Sequence, residues 1–241
     1  MIGNFKLNIL ILTTNTLHHN FYIHKLLENF ENITVIEEKE IIKPKYHVFH
    51  DYEMDRDNYE KSLWNKTISK PLNKICKNYL ICKSINDINI INYVKEENFE
   101  VCFVFGTRKI NNNLLALLPL NTFNLHGGDP NYYRGLDSHL WSIWHLDMKG
   151  LKVCLHRLSP ILDDGEIFKI LSLNIKSIEF IYQIRSINTD LCVQMSLDLL
   201  NNFINGKELK CVPQNKIGRY YSFMPSVLKS QCIENFKKLK L

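Results

Sequence analysis

Leu7-Asn8-Ile9-Leu10-Ile11-Leu12-Thr13 is an almost unbroken apolar run of strand length. A strand of that kind belongs where both faces are covered, in the middle of a parallel sheet with helices above and below. Thr14-Asn15-Thr16 then supplies turn and cap chemistry. Phe21, Leu26, Leu27 and Phe30 fall in a helical stripe, and Ile33–Ile36 reads as the next strand. A strand, loop, helix and strand in that order set the class as α/β, Rossmann-like, around a central and mostly parallel sheet. The first turn lacks G-x-G-x-x-G, so a dinucleotide site is not expected.

The rest of the chain extends this frame. Residues 43–72 read as loop and helix, Tyr79–Cys82 and Phe99–Phe105 as strands, and Asn86-Asp87 as the start of a helix through Val94. His18, His19 and His24 lack the carboxylate or thiol company of a metal site. They read as a helix start, or His18, His19 and Asn20 line a cleft beyond the first strand. Gly106-Thr107-Arg108-Lys109 ends the Phe99–Phe105 strand, and its amides with Arg108 and Lys109 suit a phosphate. The alternative is that these basic residues open an exposed helix. Leu140, Ile143 and Trp144, with Trp141 adjacent, line a helix capped by Asp137 or Ser138; they either cradle a flat ring or pack the core. Leu151–Leu158 and Ile167–Ile175 alternate as an antiparallel pair, with His156 structural, and Ser177–Phe203 reads as a long helix ending near Gly206.

Composition narrows the partners. A chain of 241 residues buries about 70–75% of its unfolded surface, enough for one substantial core. The net charge of +5 arises from 30 Lys and Arg against 25 Asp and Glu, scattered except at Lys237, Lys238 and Lys240. There is no basic stripe with interleaved aromatics, so nucleic acid is not expected, whereas a small anionic substrate suits the mild field. Seven cysteines without a C-x-x-C pair read as reduced thiols of a cytoplasmic protein, with no zinc site. No apolar run is long enough for a membrane span, and no secretory leader is expected.

The chemistry concentrates in Thr122–Phe168. If Thr122–His126 is a strand, Asn124 and His126 share a face while Phe123 and Leu125 point into packing. A break at Gly127-Gly128 then leaves a carboxamide and an imidazole at a sheet edge, where open α/β sheets keep their sites. A carboxamide binds the oxygen of an acyl group under attack, and an imidazole takes the proton of the attacking amine. Asp163, in the turn before Gly165, is the carboxylate placed to orient the ring. A β-edge Asn with a core His is the plainer alternative.

Asn124-Leu125-His126, Tyr133-Arg134-Gly135, and Gly150-Leu151-Lys152-Val153 leading to Leu162-Asp163-Asp164-Gly165-Glu166-Ile167 resemble, in that order and spacing, the formyltransferases that use N10-formyltetrahydrofolate. The resemblance spans roughly residues 6–206 and implies Asn124, His126 and Asp163 as the catalytic set, with no metal. It departs after the His, where Gly127-Gly128-Asp129-Pro130 replaces the Ser-Leu-Leu-Pro run often found there. The folate pocket is expected around Trp141, Leu162, Asp164 and Gly165. The second substrate is expected against Arg108, Lys109, Tyr133, Arg134, Tyr220 and Tyr221.

Residues 1–206 then form the catalytic domain, and 207–241 a short extension. There is no room for the barrel domain of methionyl-tRNA formyltransferases. The short ending with its Tyr-Tyr arm is similar to the nucleotide-sugar N-formyltransferases. That resemblance implies an amine on a nucleotide-linked deoxy sugar, dTDP-4-amino-4,6-dideoxyglucose first, for O-antigen or other surface lipopolysaccharide. Phosphoribosylglycinamide formyltransfer is less well matched, since Thr13-Thr14-Asn15-Thr16 lacks that family's glycine-rich phosphate loop. A noncatalytic folate- or nucleotide-binding module is the rival of another class. Ile217, Tyr220, Tyr221, Phe223 and Met224 make the extension too apolar for a free arm. It is expected to pack on a second copy as a homodimer, or else to fold back on its own domain.

Overall fold

The computed structural model describes residues 6–40 and 42–241, so residues 1–5 of the expected catalytic domain lie outside it. The apolar run forms β1 (Ile9–Thr14), and α1 (Leu17–Leu27) and β2 (Ile33–Glu38) follow it as the sequence predicts. Next come α2 (Tyr52–Trp64), β3 (Asn78–Cys82), α3 (Ile88–Glu96), β4 (Val101–Phe105), the short α4 (Asn112–Leu115) and β5 (Asn121–His126). The chain continues through β6 (Tyr133–Gly135), α5 (Ser138–Trp144), β7 (Lys152–Arg157), β8 (Ile167–Ser172), α6 (Ile184–Ile204), β9 (Arg219–Tyr221) and α7 (Ser226–Lys240).

Seven strands make one sheet in the order β3-β2-β1-β4-β5-β7-β8. The first five are parallel, and β7 and β8 add an antiparallel hairpin beside β5. Ile9–Leu12 of β1 are fully buried, as a strand covered on both faces requires. Ile9, Ile11, Phe103, Phe123 and Leu125 pack under α1 and α6, and Leu10, Leu12, Cys102 and Val104 pack under α3 and α4. The strand order reverses between β1 and β4, and the crevice outside their carboxyl ends is where such sheets bind ligands.

Two expectations change. The long helix begins at Ile184 rather than Ser177, because the Gln183 side chain accepts the amides of Glu179 and Phe180 and holds that stretch in turns. Gly206 closes the helix at φ 65°, the left-handed position that favours glycine. The C-terminal extension folds back on its own chain. β9 pairs in parallel with β6, α7 packs on α5, and Met224, Cys232 and Phe236 enter the main core. Of the apolar residues that suggested a second copy, Met224 is buried, Tyr221 and Phe223 are half-buried, and Ile217 and Tyr220 stay exposed. Phe236→Ala should therefore cost about 3–5 kcal/mol, as truncation of a buried aromatic does. Urea unfolding is the check, and a loss under about 1 kcal/mol would mean that α7 is peripheral.

Candidate active site

Asn124 and His126 stand at the carboxyl end of β5, two residues apart as the period of a strand demands. The antiparallel register sets His156 of β7 directly opposite Asn124. Asp163 lies in the turn between β7 and β8 with φ 50°, a left-handed conformation that a short polar side chain tolerates. The four side chains converge. Asn124 Nδ2 lies 3.2 Å from His156 Nε2 and donates to Asp163 Oδ1 at 3.3 Å. His126 Nδ1 and His156 Nε2 are each 3.6 Å from Asp163 Oδ1.

Backbone carbonyls fix the two imidazoles. His126 Nε2 lies 2.8 Å from the Tyr133 carbonyl, and His156 Nδ1 lies 2.8 Å from the Arg157 carbonyl. A carbonyl only accepts, so those nitrogens carry the protons. His126 Nδ1 is left with its lone pair toward Asp163, and His156 Nε2 accepts from Asn124. Asp163 in turn is held from several sides. The Gly135 amide donates to its Oδ2 at 2.7 Å, and Gln214 of the extension donates to the carbonyls of Asp163 and Gly165. Burial alone would raise the Asp163 carboxyl. The positive charge that the His126 and His156 rings carry when protonated, together with the Gly135 amide, outweighs it and holds the group well below the usual carboxylate range.

Two clefts meet at this cluster. The larger encloses about 500 Å³ between the carboxyl ends of β1, β4 and β5, the start of α5, and α6. Its walls include His18, His19, Tyr52, Arg56, Tyr182 and Arg185. Burial pushes His19 down to about 3 and His139 to about 4, and lowers His18, so these rings are neutral at physiological pH. The smaller cleft, about 40 Å³, lies between the Thr107–Ile110 loop and the Leu158–Asp163 turn. Thr107, Asn124, Leu162 and Asp163 line both. Among the described residues, the Thr107 hydroxyl buried between them has no hydrogen-bond partner.

The structure thus brings Asn124, His126 and Asp163 together and puts Leu162 beside them. The other expected residues are placed differently. Arg134 is 5% exposed, donates to the Pro130 carbonyl, Asp164 and Gln214, and lines neither cleft. It ties β6 to the Asp163 turn, which also occupies Asp164. Gly165 passes so close to the Arg157 carbonyl that a Cβ would sit 1.7 Å from its oxygen. Trp141 donates to the Ser222 carbonyl at 2.8 Å and stacks on Tyr221, which stacks in turn on Tyr133. That column anchors the extension. Tyr220 is half exposed beside Gly135. Arg108 and Lys109 line only the smaller cleft, and Arg108 is paired with Glu38 at 3.2 Å and Glu40 at 2.7 Å.

Sequence reasoning missed His156 as part of the cluster. It also missed Arg56 and Arg185 as the cations of the larger cleft. Arg185 makes a two-pronged pair with the fully buried Glu60 and shares Asp57 with Arg56. His18 and His19 do line the cleft, as one of their two readings held, whereas Asn20 faces a different cavity.

No protein-family model matches the chain. Over 136 residues, 56% of its length, the chain is 31% identical to the bifunctional polymyxin resistance protein ArnA of Wigglesworthia glossinidia brevipalpis, and it spans 19% of that protein. Its backbone is similar to that of WlaRD, a sugar 3N-formyl transferase solved with dTDP and 5-N-formyl-THF. The TM-score is 0.60 at 17% identity, over 98% of this chain and 80% of that one. It is also similar to a 4-N formyltransferase from Francisella tularensis, with a TM-score of 0.62 at 12% identity, over 96% of this chain and 88% of that one. The chain has the fold of these formyltransferases.

Proposed function

We propose that this chain transfers a formyl group from N10-formyltetrahydrofolate to the amine of a nucleotide-linked amino-deoxy sugar. The observation that carries the reading is the Asn124–His126–Asp163 cluster at the junction of two clefts. A two-substrate transfer needs one binding space on each side of the reacting atoms. ArnA-like sequence and the fold of sugar formyltransferases support it. The small cleft fits one edge of a flat donor. Its unspent Thr107 hydroxyl supplies a hydrogen bond, and the exposed Ile161-Leu162 turn must open for the rest. The larger cleft, with Arg56, Arg185 and Tyr182, suits the sugar and its nucleotide.

The residues then divide the work. Asn124 turns the amide N–H that it otherwise gives to Asp163 to the formyl oxygen as the amine adds and that oxygen gains charge. His126 takes the amine's proton on Nδ1, the nitrogen whose lone pair the Tyr133 carbonyl leaves free. Asp163, 3.6 Å away, stabilises the imidazolium that results. A new C–N bond forms, the bond from the formyl carbon to the donor nitrogen breaks, and His126 returns the proton to that nitrogen. His156 accepts the other amide N–H and so fixes which way the Asn124 carboxamide faces.

The sugar is taken as dTDP-4-amino-4,6-dideoxyglucose, made in the cytoplasm for O-antigen or other surface lipopolysaccharide. The dTDP held by WlaRD supports the nucleotide, and the Francisella protein supports the position of the amine. A noncatalytic binding module would have no need of a buried base facing a charged carboxylate. The test is formyl transfer with purified chain, the dTDP sugar and the free amino sugar. Binding energy from the remote nucleotide should help position the amine, so truncation to the free sugar should lower kcat/KM by about 10³ or more. Equal turnover of the two would remove the nucleotide from the reading, and no turnover with any amino sugar would remove the reaction.

A further inference from the structure

A second cavity of about 340 Å³ opens at the carboxyl ends of β1, β2 and β3, on the other side of α1 from the cluster above. Glu37 of β2 and Lys39 just beyond it line it, with Tyr79 and Ile81 from one face of the neighbouring β3. Glu37 is only 4% exposed. The Tyr79 hydroxyl donates to one of its carboxylate oxygens. Among the described residues no other group hydrogen-bonds to that carboxylate, and no basic nitrogen lies within 4.0 Å of it. A carboxylate buried with a single neutral partner has lost its hydration without recovering it from the protein. It accepts and cannot donate, so an occupant must bring donors. Lys39 and Lys70, from two separate segments, stand exposed at the mouth and favour an anion at the occupant's outer end.

We propose that this cavity is a second ligand site, taking a phosphorylated ribose or ribonucleoside monophosphate whose vicinal hydroxyls meet Glu37 and whose phosphate meets Lys39 and Lys70. The end of the second strand is where open parallel sheets hold ribose hydroxyls on an acid, and the volume is in the range of small-molecule sites. Thr14-Asn15-Thr16 lacks the glycines that let a pyrophosphate approach the first turn, which limits the ligand to one phosphate. The proposal is independent of the transfer reaction, since Glu37 lines neither catalytic cleft.

Calorimetric titration of the full chain with UMP, ribose 5-phosphate, dTMP and inorganic phosphate tests it. UMP should bind with a Kd below about 1 mM, a usual range for metabolite sites, and dTMP, which lacks the second hydroxyl, at least about tenfold more weakly. Ribose 5-phosphate matching UMP would assign the sugar phosphate as the recognised part; UMP well above it would add the base. Glu37→Gln keeps an acceptor for Tyr79 and should lose at least about tenfold, as one hydrogen bond to a charged group is worth. Ile81→Trp, from a half-exposed position at the mouth, should abolish UMP binding by filling the cavity. UMP affinity should be unchanged by saturating dTDP. The proposal is overturned if dTMP or phosphate binds as tightly as UMP, if both variants bind UMP like the parent, or if dTDP displaces it.

Discussion

His126→Ala will lower formyl transfer to the amino sugar by about 10²–10⁴, the usual worth of a positioned general base. The reason is specific to Nδ1. The Tyr133 carbonyl holds the proton of this ring on Nε2, so the lone pair left on Nδ1, on the side of Asp163, is the one the proposed transfer would use. Of the two imidazoles that face Asp163, only this one has that lone pair unengaged, because His156 Nε2 accepts from Asn124. Asn124→Ala should cost about 10²–10³ through the lost oxyanion donor. The double variant should be little worse than His126→Ala, since groups that act as a unit are not additive. Single-turnover assays with the dTDP sugar measure this, with urea unfolding as the control for the fold. A His126→Ala protein within about tenfold of the parent would end the assignment.

Much of this site was legible because it rests on local rules. The unbroken apolar character of Ile9–Leu12 announced a strand covered on both faces, and the period of two put Asn124 and His126 together. The turn at Asp163 followed from the alternation of the strands on either side. His156 was not legible as a site residue, because its neighbour Asn124 comes from the register of β5 on β7, a pairing 32 residues apart. Reading Thr122–His126 and Leu151–Leu158 as an antiparallel pair would have exposed it. Arg134 and Trp141 were misplaced for a related reason. Charge and aromaticity do not say whether a side chain faces a ligand or its own chain, and here Asp164, Gln214, Ser222 and Tyr221 claim them. Those partners lie in the extension or in the Asp163 turn, so the tail that looked like an arm is part of what holds the Asp163 carboxylate. Arg56 and Arg185 were hidden in two separate helices whose tertiary positions no local pattern fixes.

Asp163→Asn should lower turnover by about 10²–10⁴, and by at least as much as Asp163→Ala, which is the less intuitive half of the expectation. The Asp163 Oδ2 accepts the Gly135 amide at 2.7 Å, so the oxygen of an asparagine will take that place. Its NH₂ then replaces Oδ1, which faces Asn124 Nδ2 at 3.3 Å and His126 Nδ1 at 3.6 Å. Donor meets donor at Asn124, and at His126 the new N–H occupies the lone pair that should accept the amine's proton. Alanine removes the charge but leaves that lone pair free. The same substitution makes a statement about pH. The carboxyl is depressed in the folded chain, so its contribution to stability is complete above the unfolded value, about 3.9, and is lost as pH falls toward the folded one. The parent should therefore be more stable than Asp163→Asn in urea at pH 7, and the gap should narrow on going to pH 3. A gap that stays constant over that range would mean that Asp163 is not held ionised by His126 and His156. An Asp163→Asn protein that outperforms Asp163→Ala would mean that the His126 lone pair is not the base.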